Sequence, residues 1–161
     1  MIVSSTSSGG TIRRTTDAGA NWSFAFNSGR MSAVAFGSST AGVAVGDRAR
    51  ILRTTDAGLT WTPSTVSAGV VEFTGVAFAD VNTVVVVGGG VTRRSTDGGQ
   101  TFGAVAMPPG TTPTDAYKVA FGSPQVGVVV GFGNQVYWTA DGGQTWTAGT
   151  GAALWSVDNC R

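Results

Sequence analysis

Thr54-Thr55-Asp56-Ala57-Gly58-Leu59-Thr60-Trp61 is one of four copies of a single eight-residue phrase. The others are Thr15-Thr16-Asp17-Ala18-Gly19-Ala20-Asn21-Trp22, Ser95-Thr96-Asp97-Gly98-Gly99-Gln100-Thr101-Phe102 and Thr139-Ala140-Asp141-Gly142-Gly143-Gln144-Thr145-Trp146. The common skeleton is Ser/Thr-x-Asp-x-Gly-x-x-Trp/Phe. An Asp and a Gly two residues apart, between apolar runs, predict a tight turn joining two strands. The carboxylate can accept backbone N–H groups inside the turn, and the glycine supplies a positive φ. The leading Ser/Thr adds a local hydroxyl partner. The closing aromatic begins the next strand and is expected to bury against a neighbouring sheet. Asp17, Gly19 and Trp22, Asp56, Gly58 and Trp61, Asp97, Gly99 and Phe102, and Asp141, Gly143 and Trp146 are therefore read as structural. A calcium loop would need further acidic ligands that the phrase lacks, so no metal is expected.

The phrase recurs with a period of about 40 residues, the signature of a propeller built from small sheets. The same order of strands repeats within each period. An innermost strand comes first (Ser32–Phe36, Thr74–Phe78, Tyr117–Phe121) and a second, β-branched run follows (Gly42–Val45, Thr83–Val87, Gly127–Val130). Runs of this kind, bounded by glycine, read as strands covered on both faces. The third strand leads into the phrase (Arg50–Thr54), and the fourth leaves it (Trp61–Thr65). The chain opens on a second-type strand, Ile2–Ser5, and closes on Leu154–Val157, which aligns with the innermost strands. The expectation is a single all-β domain over residues 1–161, a β-propeller of four four-stranded blades. The C-terminal strand would complete the N-terminal blade. The count suits a closed four-bladed monomer, half of an eight-bladed homodimeric ring, or a piece cut from a longer propeller.

At these residues the chain resembles the Asp-box, or BNR, repeat family. The run Arg50-Ile51-Leu52-Arg53-Thr54-Thr55-Asp56-Ala57-Gly58-Leu59-Thr60-Trp61 looks most like the BNR propellers related to photosystem II assembly factors, and the sialidase-like propellers share its box. The resemblance covers nearly the whole chain and implies the propeller fold. Sialidases, xyloglucan hydrolases, sorting receptors and assembly factors all carry the box, so it implies no single activity. The sialidase set of three arginines, a Tyr/Glu pair and an Asp has no counterpart here: Glu72 is the only Glu, and Tyr117 and Tyr137 are the only tyrosines.

Composition narrows the function. Charged residues make up 12% and the formal net charge is +1, which argues against nonspecific binding to nucleic acid or a membrane surface. Histidine is absent, so Ser-His-Asp catalysis and His-based metal sites are excluded. Cys160 is the only cysteine, so no internal disulfide forms. The longest apolar run is far too short to insert in a membrane, and Met1-Ile2-Val3-Ser4 does not read as a signal peptide. The Ser/Thr/Gly-rich, Lys-poor character suits a secreted or periplasmic protein.

Two sets of residues are candidates for function. Alignment of the innermost strands places Arg30, Glu72, Asp115 and Ala153 in one column where the chain enters each central strand. The connections between second and third strands add Asp47, Arg48, Arg50, Asn134 and Gln135 on the same face, the usual ligand mouth. Glu72 and Asp115 are the candidate catalytic pair should the chain be a glycoside hydrolase or a remnant of one. Arg30 is suited to hold a carboxylate. The second set, Arg14, Arg53 and Arg94, stands three residues before successive box aspartates, with Trp138 in the fourth place. The repetition predicts a structural job, with packed stems and guanidinium groups bonding nearby carbonyls. An outer basic belt is the other reading, and the resemblance to assembly factors implies binding through an arginine-rich face. Tyr137, Trp138 and Trp155 fall in strands and are expected in the core. The function expected is a non-catalytic binding or assembly scaffold with a protein or glycan partner at the mouth and no cofactor. The alternative is the glycoside hydrolase.

Overall fold

A computed structural model describes residues 2–6, 9–27, 29–66, 71–108, 116–131 and 135–149, all of them in strands, turns and connections. The first sheet holds β1 (Ile2–Thr6), β2 (Gly9–Arg14) and β3 (Ser23–Asn27) in that order. The second runs β4 (Met31–Phe36), β5 (Gly42–Gly46), β6 (Ile51–Thr54), β7 (Thr62–Pro63). The third is β9 (Gly75–Phe78), β10 (Val84–Gly88), β11 (Val91–Ser95), β12 (Thr101–Val105), and the fourth β13 (Ala116–Phe121), β14 (Gly127–Gly131), β15 (Val136–Thr139), β16 (Thr147–Gly149). Neighbouring strands within these meanders pair antiparallel, for example Val84↔Ser95 and Val86↔Arg93 between β10 and β11.

The core lies in the seams between sheets. Val43, Val45 and Ile51 meet Phe73, Val76, Val84, Val86 and Phe102 across the seam between sheets two and three. Val85 and Val87 point the other way, to Val119, Val129, Tyr137 and Trp146 of sheet four. Ile12, Met31, Ala44, Leu52 and Trp61 fill the seam between sheets one and two. Period-two alternation thus sends odd and even valines of one strand to different seams. This is why the second strands read as continuous apolar runs, and Val84, Val85, Val86 and Val87 are each fully buried. Each such valine contributes about 1.5–3 kcal/mol of burial.

The expected blade order holds for the described residues, with three differences. The outgoing strand of the second repeat, expected to run unbroken to Thr65, stops at Pro63. The chain then crosses to the next sheet as β8 (Thr65–Val66), which pairs parallel to β12 through Thr65↔Thr101 and Val66↔Phe102. Trp138 is not core: it is 47% exposed, whereas Tyr137 beside it is buried. Several strand limits move by one residue, because Gly46, Gly88 and Gly131 extend the second strands. Leu154–Val157, on which ring closure was expected to depend, lies outside the described residues, as do Asp115, Asn134, Ala153 and Trp155.

Candidate functional site

Each box turn joins the last two strands of its antiparallel meander at one end of the sheet. In box two the Thr54 hydroxyl donates to Asp56 Oδ1 at 2.8 Å, and the Gly58 N–H donates to Thr54 Oγ1 at 2.9 Å. The Thr60 N–H donates to the same carboxylate at 2.9 Å. Boxes one, three and four repeat the pattern around Asp17, Asp97 and Asp141. The bonds hold each carboxyl at about 2, below its ordinary value of 3.8. At Asp17 the leading cause is the Asn21 N–H, and at Asp56 and Asp141 it is the hydroxyl of Thr60 and Thr145. At Asp97 partial burial pulls upward and the Thr101 hydroxyl and N–H outweigh it. With its oxygens committed to the turn, each carboxylate is a structural brace.

Between the boxes runs a second device. The Nε–H of Arg14 donates to the Ala57 carbonyl, that of Arg53 to Gly98, and that of Arg94 to Gly142, at 2.8, 2.9 and 2.8 Å. Each acceptor follows the aspartate of the next box. The arginines bond carbonyls, as the repetition predicted, and the carbonyls lie on the neighbouring sheet, so the series ties sheets together.

The opposite end of the sheets carries the candidate mouth. Here the hairpin 47–50 between β5 and β6 is bonded on both sides. Its Asp47 N–H donates to the Arg30 carbonyl at 3.2 Å, and its Ala49 N–H donates to Val71. One residue into β9's approach, the Phe73 N–H donates to Gly46 at 3.0 Å. Arg30, Asp47, Arg48, Arg50 and Glu72 are thereby gathered at one end of sheets two and three. The Arg50 guanidinium lies 3.5 Å from Asp47 Oδ1 and packs over Gly29, where a Cβ would stand only 2.0 Å from its Nη1. Glu72 Oε1 accepts the Ser32 hydroxyl at 3.3 Å. Gln135 stands at the matching end of sheet four, where its Oε1 accepts the Tyr137 hydroxyl at 2.6 Å.

Sequence reasoning missed the backbone of this hairpin. Arg48 and Ala49 have φ of 55° and 57°, a left-handed pair that costs side-chain-bearing residues roughly 1–2 kcal/mol apiece. The matching turn of sheet three places Gly89 and Gly90 there, with φ of 52° and 83°. That glycine pair was the available signal. Arg48 is exposed at the tip. The Glu72–Asp115 pair cannot be assembled, since Asp115 lies outside the described residues. Among the described residues no cluster of three His, Cys, Asp or Glu forms a metal site.

The family model for the photosynthesis system II assembly factor YCF48 matches residues 24–161. The chain belongs to the YCF48 family. A solved structure entitled YCF48 bound to D1 peptide is 25% identical, with a TM-score of 0.65 over 73% of this chain and 39% of that one. YCF48 from Cyanidioschyzon merolae is 30% identical, with a TM-score of 0.61 over 73% of this chain and 36% of that one. An ancestral GH74 enzyme, 18% identical, shares the fold at a TM-score of 0.71 over 90% of this chain and 22% of its own. The chain thus spans less than two-fifths of the YCF48 structures it matches. The comparison with curated proteins gave no match.

Proposed function

We propose that this chain is a non-catalytic protein-binding scaffold that engages its partner at the mouth, through Arg30, Arg48 and the groups beside them. The carrying observation is Arg48. A long cationic side chain is displayed at the tip of a turn whose left-handed backbone favours glycine, and the backbone hydrogen bonds of Asp47 and Ala49 hold that turn in place. The hairpin needs this left-handed geometry, and its use of Arg48 where sheet three has glycine is consistent with a binding role. A protein partner agrees with the family, one of whose members has been solved with a D1 peptide. The mouth mixes charges, with Arg30 and Arg48 beside Glu72 and the Arg50–Asp47 pair, so it suits a peptide carrying both polar and acidic groups. The likeness to GH74 enzymes rests on 15–21% identity and speaks to the fold alone.

Titration of a fluorescent D1 peptide against wild type and an Arg30→Ala/Arg48→Ala variant tests the reading. The variant is expected to bind at least about tenfold more weakly, a loss of 1.4 kcal/mol or more. Equal affinity in the two proteins defeats the mouth as the site. Hydrolysis of a xyloglucan oligosaccharide that is abolished by Glu72→Ala would favour the enzyme reading instead.

A further inference from the structure

The three seams between sheets are built alike at the core and differently at the outer rim. At the seam between sheets two and three the rim is sealed by the chain itself. The Ser64 hydroxyl donates to the Gly99 carbonyl at 2.6 Å, and the Thr65 N–H donates to the Gln100 carbonyl at 3.0 Å. Thr65 and Val66 then continue as the parallel strand β8 on the edge of β12. An extended Ser-Thr-Val segment is thus docked on the Gly99-Gln100-Thr101-Phe102 portion of box three.

Box four repeats that surface as Gly143-Gln144-Thr145-Trp146. Counted from the box aspartates, Val105 replaces Ser64 and Ala106 replaces Thr65. Valine has no hydroxyl to offer, and β12 stays paired to β11 as far as Thr92↔Val105. No donor reaches the Gly143 or Gln144 carbonyl among the described residues. Among the described residues the rim stands open instead. A groove of about 390 Å³ lies there, lined by Arg94, Thr96, Thr101, Gly103 and Ala104 on one side and Gln144 on the other. Arg94 spends its Nε–H on Gly142, lies near enough to Asp80 for its charge to help lower that carboxyl, and contributes to the groove lining.

We propose that this groove is a peptide-docking site, filled by an extended segment of a partner protein that adds to box four as Ser64–Val66 adds to box three. The segment presents a Ser or Thr hydroxyl to the Gly143 carbonyl and the next amide N–H to the Gln144 carbonyl. It runs parallel to β16, by strand addition of the kind used in peptide recognition. A carboxylate flanking the hydroxyl residue pairs with Arg94. The proposal rests on the reading of the chain as a protein-binding scaffold, but places a second contact at the rim, away from the mouth.

The probe is a fluorescein-labelled peptide with the sequence of residues 62–67, Thr-Pro-Ser-Thr-Val-Ser, titrated against the full chain. Saturable binding is expected. Thr96→Trp, which fills the groove with an indole, is expected to weaken it at least about tenfold. A peptide N-methylated at the second Thr, which lacks the N–H for Gln144, is expected to lose a similar factor against the wild-type protein, so the outcome does not hang on one variant folding. The Arg30→Ala/Arg48→Ala protein is expected to bind the probe as wild type does. Absence of saturable binding, or binding indifferent to both the indole and the N-methyl group, overturns the proposal. Loss of probe binding in the Arg30→Ala/Arg48→Ala protein also overturns it, and leaves the mouth as the sole peptide site.

Discussion

Arg53 donates its Nε–H to the carbonyl of Gly98, 2.9 Å away and on the next sheet. The bond joins the third strand of one blade to the box turn of its neighbour, and Arg14–Ala57 and Arg94–Gly142 repeat it at the flanking seams. The fourth place of the series is held by Trp138, which has no guanidinium to give and stands half exposed. The seam device is therefore a property of the three internal seams among the described residues.

Arg53→Ala is expected to destabilise the fold by about 1.5–3 kcal/mol, the range for hydrogen bonds to charged groups. Arg53→Lys should recover little of this, because an ammonium on a flexible stem does not reproduce the directed Nε–H. Urea unfolding of the two variants is the measurement. A shift of under about 0.5 kcal/mol for Arg53→Ala, typical of an ordinary surface change, would show that the seam does not depend on this bond.

Acid should unfold the protein in a defined window. The carboxyls of Asp17, Asp56, Asp97 and Asp141 lie at about 2 in the fold, below the ordinary 3.8. A folded-state value below the unfolded one means that the fold binds fewer protons. The stabilisation is present in full above the ordinary carboxylate range and is lost as pH falls from about 4 toward 2. The melting temperature followed by circular dichroism should be level near neutrality and drop across that window. Asp56→Asn should make the drop shallower. A level profile down to pH 2 contradicts the role assigned to the boxes.

Neighbouring glycines of box three should respond differently to alanine. At Gly98, φ is 68° and a Cβ would meet nothing nearer than Arg53 Nη2 at 3.6 Å, so the cost is that of the backbone, about 1–2 kcal/mol. At Gly99, φ is 86° and the Cβ would stand 2.5 Å from Val43 Cγ2, so steric strain adds to the backbone cost. Gly99→Ala is expected to be the more damaging by about 1–3 kcal/mol. Conversely Ala57, with φ of 59° at the place where boxes three and four carry glycine, is expected to gain stability on Ala57→Gly. Chemical denaturation of the three variants ranks them, and equal costs at Gly98 and Gly99 would refute the packing argument.

The box tryptophans should tolerate phenylalanine. Trp61 is buried edge-on against Phe36, with ring centroids 6.4 Å apart, yet its Nε1 has no hydrogen-bond partner, and the same holds for Trp146. Trp61→Ala is expected to cost about 3–5 kcal/mol. Trp61→Phe removes the unpaired N–H and keeps most of the ring, and should cost under about 1.5 kcal/mol, as a tolerated apolar swap does. Box three already uses Phe102 in this position. A loss from Trp61→Phe as large as from Trp61→Ala would mean that the indole nitrogen matters after all.

What the sequence determined by itself is the part of the molecule built from short-range chemistry. A box is closed by hydrogen bonds spanning two to four residues, such as Thr54–Asp56 and Thr60–Asp56, so its four copies announce the turns and set the blade period. Runs such as Val84–Val87 announce strands covered on both faces, and the spacing of Arg14, Arg53 and Arg94 announces a repeated bond to carbonyls. Only the tertiary structure decided which carbonyls those are, since the partners lie 43, 45 and 48 residues away. It also decided that β8 leaves its own sheet for the next, that Trp138 faces outward, and that the hairpin bearing Arg48 is tied to both Arg30 and Val71. The reason is that each of these depends on how two sheets meet. A difference as small as Ser64 against Val105 opens or seals a seam without altering the strand pattern on either side.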